Sequence, residues 1–301
     1  MPLGAYNASK GGWTIIVVDA FGDESADETQ QRIFAVAAIA ASDDEWKQLE
    51  TAWLERTGPV RFHATDCESD RGDYKNFPHA ENKALYRDLT HILGRSDAWG
   101  FGAAYDLASY RAIFPSVDQD TCYIRALLEV IGFFGRLSEQ HFNKDVIRFT
   151  FDSREQSNYS AGKVYDLAVR DGENRCLFDE ITFASSTSSK RHVALEMADL
   201  FAYETMKELD NRIGPVRRRR RRSLDALTER GHFGCDFFMR EYFEDMDRKL
   251  GQVSKRDPAF SWESYQEWLR KYKKGIDSPR NRMLHFIWFG EQEQRRNRGT
   301  R

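Results

Sequence analysis

Two β-rich apolar runs stand near the front of this chain, Trp13 to Val18 and Arg32 to Ala41 (RIFAVAAIAA), with the polar segment FGDES between them. Apolar runs joined by so short a polar turn read as a hairpin or meander. Behind them, helical and strand-like patterns alternate. Ser42 is placed to cap a helix, with Glu45 three residues on completing a capping-box pattern and Trp46, Leu49 and Trp53 repeating at helical spacing. The segment VRFHATD is short, and the charged stretch from Cys67 to Pro78 reads as irregular. The pattern then predicts a helix over 81–93, a strand over 98–105 ending at Asp106, a longer helix over 121–142, and a strand over 146–151 ending at Asp152. Helix, strand and helix follow over 161–170, 179–184 and 191–209. β-rich first and mixed later, this order predicts an α/β domain.

At 301 residues the chain can bury a sizeable core, as one large domain or as one domain with an appended piece. After Asn211 its character changes. Ile213-Gly214-Pro215 interrupts the helical pattern, an unbroken arginine run follows, and the remainder is charged, aromatic and mostly helical in pattern, clearest in WESYQEWLRKYKK. This shift predicts a catalytic core over 1–211 and a basic linker with a helical accessory region over 212–301. The formal net charge is only −3, so no global basic field announces nucleic acid. The positive charge is concentrated instead, in Arg217, Arg218, Arg219, Arg220, Arg221 and Arg222 and in the tail residues Arg295, Arg296, Arg298 and Arg301.

Cys67, Cys122, Cys176 and Cys235 lack the spacing of a zinc knuckle or a disulfide framework, which points to reduced thiols in a cytoplasm. The start MPLGAYNASKGG has no basic segment leading into an apolar run, and no stretch approaches the roughly 18 apolar residues that span a bilayer. The expectation is a soluble cytoplasmic protein with no membrane partner.

Three acidic residues stand where separate elements end or turn inward: Asp23 in TIIVVDAFGDES, Asp152 in VIRFTFDS, and Asp199 in HVALEMADLFAYE. An ionised carboxylate leaving water needs a charge partner or a metal, so the three together suggest a cation site. Glu196, Asp199 and Tyr203 fall at i, i+3 and i+7 and line one helical stripe beside the apolar Leu195, Ala198, Ala202, Met206 and Leu209. The plain alternative makes Glu196 and Asp199 solvated helix charges. His63 is able to bind a metal, orient a carboxylate or shuttle a proton, or else is a structural histidine with Asp66 as a loop or cap residue. Asp19 and Asp106 are further carboxylates near strand positions.

The succession FGDES, EWKQLETAW, FHATD, the strand end FDS, LEMADLFAYE and RRSLDAL resembles the domain-of-unknown-function family 3800 over about residues 13–227. The resemblance implies an RNase H-like mixed sheet flanked by helices, here with a C-terminal helical extension, and a metal-dependent nuclease related to RNase H and RuvC-type proteins. It implies a site in which Asp23 and Glu24 match the family's DESG motif with Ala26 in place of the glycine. His63 and Asp66 match its FHxxD-like element, Asp152 its acidic strand end, and Asp199 the aspartate of its LQxAD-like helix, with Glu196 where glutamine is usual, an added carboxylate that either strengthens metal binding or changes the partner of a neighbouring basic group. A role in defence against foreign nucleic acid, or as a toxin, comes from the resemblance alone.

The chemistry gives these residue types an independent reason. Phosphodiester cleavage needs an activated water and a neutralised leaving oxygen, and divalent ions supply both. Mg²⁺ or Mn²⁺ is the expected cofactor, held by Asp23, Asp152, Glu196 and Asp199, because such ions prefer carboxylate oxygens. The arginine run suits phosphate contact with DNA or RNA, although a protein partner or a solvated segment would use the same charges. The competing reading is a catalytically inactive RNase H-like module that binds nucleic acid or a partner.

Overall fold

The structure, a computed structural model, describes residues 17–29, 31–114, 119–141, 146–152, 178–184, 191–216, 218–245 and 247–248. The predicted helix over 161–170, the helical region beyond 248 and Arg217 lie outside them. Strand β2 (Ile33–Ala41) has no polar residue and is buried along its whole length. A strand apolar on both faces needs cover on both, which places it inside a sheet with helices above and below. Strands β1 (Val17–Ala26) and β3 (Trp99–Asp106) flank it, both antiparallel to it. Strand β4 (Val146–Asp152) runs parallel to β1, β5 (Phe178–Ala184) parallel to β4, and β6 (Phe233–Phe238) parallel to β3. The six-stranded order is β5-β4-β1-β2-β3-β6. A three-strand meander extended beyond β1 by two parallel strands is the RNase H-like α/β topology.

The helices are α1 (Asp43–Thr57), α2 (Ala64–Ser69), α3 (His79–Gly94), α4 (Leu107–Ile113), α5 (Gln119–His141), α6 (Val193–Ile213) and α7 (Arg222–Thr228), with a 3₁₀ turn at Gly72–Tyr74. Alternate strand residues divide the core. Val36 and Ala38 face α5 with Phe149 and Phe151, whereas Ala35 and Ala37 face α6 with Met197 and Phe201. Helix α6 lies over β1, β2 and β3, with α1 pressed on its other side. It is buried almost all round, Glu196, Asp199, Glu204 and Glu208 included. An amphipathic surface helix would show one such face only. A Cβ on Gly102 would stand 2.4 Å from the Thr205 hydroxyl oxygen, so the bare glycine lets α6 settle directly on β3. No helix among the described residues is long and apolar enough to cross a membrane.

Ser42 does cap α1, accepting from the Glu45 N–H at 3.3 Å, but the Glu45 carboxylate accepts from the Asp97 N–H at 2.9 Å instead of closing the box. The stretch expected to be irregular holds the end of α2 and the 3₁₀ turn. Asp106 caps a further short helix, α4, by accepting from the Ser109 N–H and hydroxyl. Two expectations need correction. The FGDES segment is not a turn. Strand β1 runs through it to Ala26, which pairs with Phe34, and the chain reverses only at Asp27, whose side chain accepts from the Arg32 and Ile33 N–H groups at 2.9 Å each. Ala26 therefore needs no glycine-like backbone. The boundary near residue 211 is the other correction. Strand β6 is the sixth strand of the same sheet and α7 packs on α3, so the sheet domain continues to residue 238.

Candidate functional site

The register of β1 on β4 builds one row of paired side chains on the α6 side of the sheet. Asp19 is level with Arg148 and Phe21 with Thr150, and the same register carries Asp23 to Asp152. Paired residues of neighbouring strands share a face about 5 Å apart. At the first level the charges are opposite, and Arg148 holds Asp19 with two hydrogen bonds of 2.7 and 2.8 Å. Four residues further along each strand, two carboxylates meet. Asp23 is pushed well above the usual carboxylate range, first by burial and then by the charges of Asp199 and Asp152.

Asp199 descends to this row from α6 and is buried. Its Oδ2 accepts from the Ala64 N–H at 2.7 Å, the first amide of α2. Burial raises its pKa to about 6, against the pull of His63 and of that amide, and Asp152 and Asp66 add like charge. His63 sits at the start of α2 with Nδ1 3.2 Å from the Asp66 carboxylate, and its ring is 56% exposed. Asp23, Asp152, Asp199, His63 and Asp66 are thus brought into one electrostatic neighbourhood.

Glu24 adds like charge to Asp23 but leaves the sheet on the other side. It pairs with Val36 of the α5-side core, whereas Asp23 pairs with Ala37 of the α6-side core. Consecutive strand residues point to opposite faces, so Asp23 and Glu24, adjacent in the motif, are parted by the sheet itself.

Glu196 is committed elsewhere as well. Arg191 donates to its Oε1 and Oε2 at 2.6 and 2.7 Å, while the Trp53 indole N–H and the Phe62 N–H both reach Oε2 at 3.1 Å. Those four hydrogen bonds tie the carboxylate to a neighbouring arginine and to α1, in place of the metal-ligand role expected for it. The pair fastens α6 to α1 and to the segment leading into α2.

Nor do the arginines act as a block. Arg221 is inserted between Glu204 and Glu68, with contacts of 2.8 and 2.5 Å. Arg220 pairs with Asp225 at 2.9 Å and Arg218 lies 3.8 Å from Asp210. Arg219 and Arg222 are exposed. Sequence reasoning overlooked the Ala64 amide and the Glu68, Tyr203 and Arg221 contacts. An amide has no sequence signature, and those three side chains are far apart along the chain.

Among the described residues no three His, Cys, Asp or Glu close tightly enough to grip an ion directly. The donor set nevertheless suits a hard cation. Magnesium usually keeps several waters and takes one or two protein carboxylates, and here oxygen donors stand where like charges are crowded.

The crowding has a pH signature. Between 3.8 and about 6 the folded chain retains a proton on Asp199 that the unfolded chain has released. Stability from this group is therefore full at low pH and lost as pH rises through that window. Asparagine mimics the protonated acid, so Asp199→Asn is expected to stabilise the metal-free protein at about pH 8 by on the order of 2–3 kcal/mol and to change little near pH 3. Urea unfolding at both pH values checks this, and a destabilisation of equal size at both would contradict it.

No protein-family model matches the chain, and no curated protein matches it in sequence. Solved structures similar to it include an RNase HII from Archaeoglobus fulgidus in complex with PCNA, at 13% identity and a TM-score of 0.37, over 80% of this chain and 91% of that one. Another is Bst-RNase HIII in complex with Mn²⁺, at 12% identity and a TM-score of 0.37, over 66% of this chain and 56% of that one. Likeness at that level adds nothing to the site, and the fold assignment rests on the sheet topology.

Proposed function

We propose that this protein is a divalent-metal-dependent nuclease hydrolysing phosphodiester bonds of DNA or RNA, in line with the family 3800 resemblance. One observation carries the reading: Asp23 and Asp152 stand level on adjacent parallel strands with the buried Asp199 above them. Like-charged groups crowded together destabilise a fold, and a bound cation offsets that cost. Mg²⁺ or Mn²⁺ held there by Asp23, Asp152 and Asp199 would polarise a phosphoryl oxygen and lower the pKa of a bound water. The chain's own part is positioning. The sheet fixes two carboxylates rigidly, the Ala64 N–H holds the third, and the exposed His63 ring, with Nδ1 near Asp66, would carry a proton beside Asp199.

The experiment is incubation of the purified chain with single- and double-stranded DNA and RNA, in Mg²⁺, in Mn²⁺ and in excess chelator. Cleavage that disappears with chelation is the expected result. Cleavage undiminished by chelator would overturn the reading, and binding without cleavage in every metal condition would favour the inactive binding module.

Substrate affinity has a separate source. Arg219 and Arg222 are exposed cations of the run, and each phosphate they neutralise adds to the salt dependence of binding. Replacing both by Gln is expected to weaken binding across sequences and to flatten log K against log salt by roughly 0.9 per lost contact on duplex DNA, or about 0.7 on a single strand. An unchanged slope in a salt titration would return them to a solvated surface.

A further inference from the structure

Helix α2 carries the Ala64 amide, His63 and Asp66 into the site, yet it is only six residues long. So short a helix has no independent stability and takes its position from tertiary contacts. Its first amide rests on Asp199. One turn further along, Glu68 accepts from the Tyr203 hydroxyl at 2.6 Å and from Arg221 Nη2 at 2.5 Å. Tyr203 and Asp199 are both on α6 and four residues apart, so the two ends of α2 are tied to successive turns of one helix.

Arg221 is the centre of the second tie. It also donates from Nε and Nη2 to the two oxygens of Glu204, at 2.9 and 2.8 Å. Glu204 is fully buried, and its oxygens further accept from the Tyr86 hydroxyl at 2.6 Å and the Ser223 hydroxyl at 2.7 Å. Although burial opposes it, the charges and hydrogen bonds of Arg221 and Tyr203 hold Glu68 below its ordinary pKa, with Lys207 contributing. The guanidinium thus joins the buried part of α6, the start of α7 and the far end of α2.

We propose that Arg221 is a positioning residue for the candidate site, acting through Glu68 to hold α2 so that its first amide and His63 stay against Asp199. This role depends on the nuclease reading for its chemical consequence, but the geometric claim can be tested apart from it. It also separates Arg221 from the exposed Arg219 and Arg222 of the same run.

The discriminating variant is Glu68→Gln, which frees α2 while leaving the buried Arg221–Glu204 pair in place. Hydrogen–deuterium exchange of peptides covering 62–69, with the metal-free protein, gives the readout. The expected result is exchange there about tenfold or more faster than in wild type, with the α6 peptides covering 200–209 unchanged. Arg221→Gln should speed 62–69 by at least as much and loosen α6 and α7 too, and Arg220→Gln should move neither. Wild-type exchange over 62–69 in Glu68→Gln would overturn the proposal even if Arg221→Gln unfolds.

Where the wild type cleaves nucleic acid, Glu68→Gln is expected to lower kcat with KM and the salt slope of binding unchanged. A purely structural role would instead reduce the folded fraction and leave kcat per folded molecule intact. If the wild type cleaves nothing, the nuclease reading fails, and the exchange comparison still decides whether the clamp exists.

Discussion

Asp23→Asn, Asp152→Asn and Asp199→Asn are each expected to reduce Mg²⁺- or Mn²⁺-dependent cleavage by on the order of a thousandfold, the equivalent of about 4 kcal/mol of transition-state stabilisation. The size follows from placement. Asp23 and Asp152 are fixed on adjacent strands and Asp199 is held by a hydrogen bond from the Ala64 N–H, so each carboxylate acts from a set position. Asparagine keeps the volume and most hydrogen bonds, and the variants should fold at least as well as wild type because like charge has been removed. Loss of activity together with gain of stability is the signature expected of a functional site. Single-turnover cleavage with saturating protein, beside urea unfolding of each variant, measures both. Full activity in any folded one of the three would remove that residue from the site, and Glu24→Gln should remain active because its side chain is on the opposite face.

The second large effect is on stability. Arg191→Met leaves Glu196 buried beneath Trp53 and Phe62 without its cation, and is expected to lower the unfolding free energy by about 3–5 kcal/mol. Replacing both partners, Arg191→Met with Glu196→Met, should regain most of that loss, because an apolar pair leaves no stranded charge. Glu196→Gln should leave the midpoint of Mg²⁺-induced thermal stabilisation where it is in wild type. A shifted midpoint would put Glu196 back among the metal ligands. The paired variant staying as unstable as Arg191→Met would show that shape, and not the isolated charge, sets the loss.

The parts of the fold that were legible in the sequence are those whose signals are local. The apolar runs mark β2 to β4, Ser42 marks the start of α1, and the spacing around Asp199 marks α6. The site was legible as far as which carboxylates lie on which elements. What escaped depends on contacts between distant segments. FGDES looks like a turn because Gly, Asp and Ser favour turns, yet pairing with β2 and β4 extends it, and that extension is what sends Asp23 and Glu24 to opposite faces. Glu196 and Asp199 stand three residues apart on one helix, but only the arrival of Arg191 and Trp53 at one and of Ala64 at the other makes their roles different. Arg219 and Arg221 are identical letters in one run. Their divergence is decided by Glu204 and Glu68, which no spacing within the run could reveal. The strand FGCDFF lies beyond the change of composition after Asn211, which concealed its membership of the sheet.

That last strand imposes an order on biogenesis. β3 leaves the ribosome early, but its partner β6 is made only after β4, β5 and α6, and at about 5–20 residues per second the interval is on the order of ten seconds. Throughout it the β3 edge, from Gly100 to Tyr105, waits with its amides and carbonyls unpaired, an invitation to pair with a neighbouring nascent chain. A polypeptide ended at residue 211 would never pass beyond that stage. It would retain Asp23, Asp152 and Asp199 but keep the β3 edge permanently open, so a shortened version of this protein faces aggregation before any question of catalysis arises.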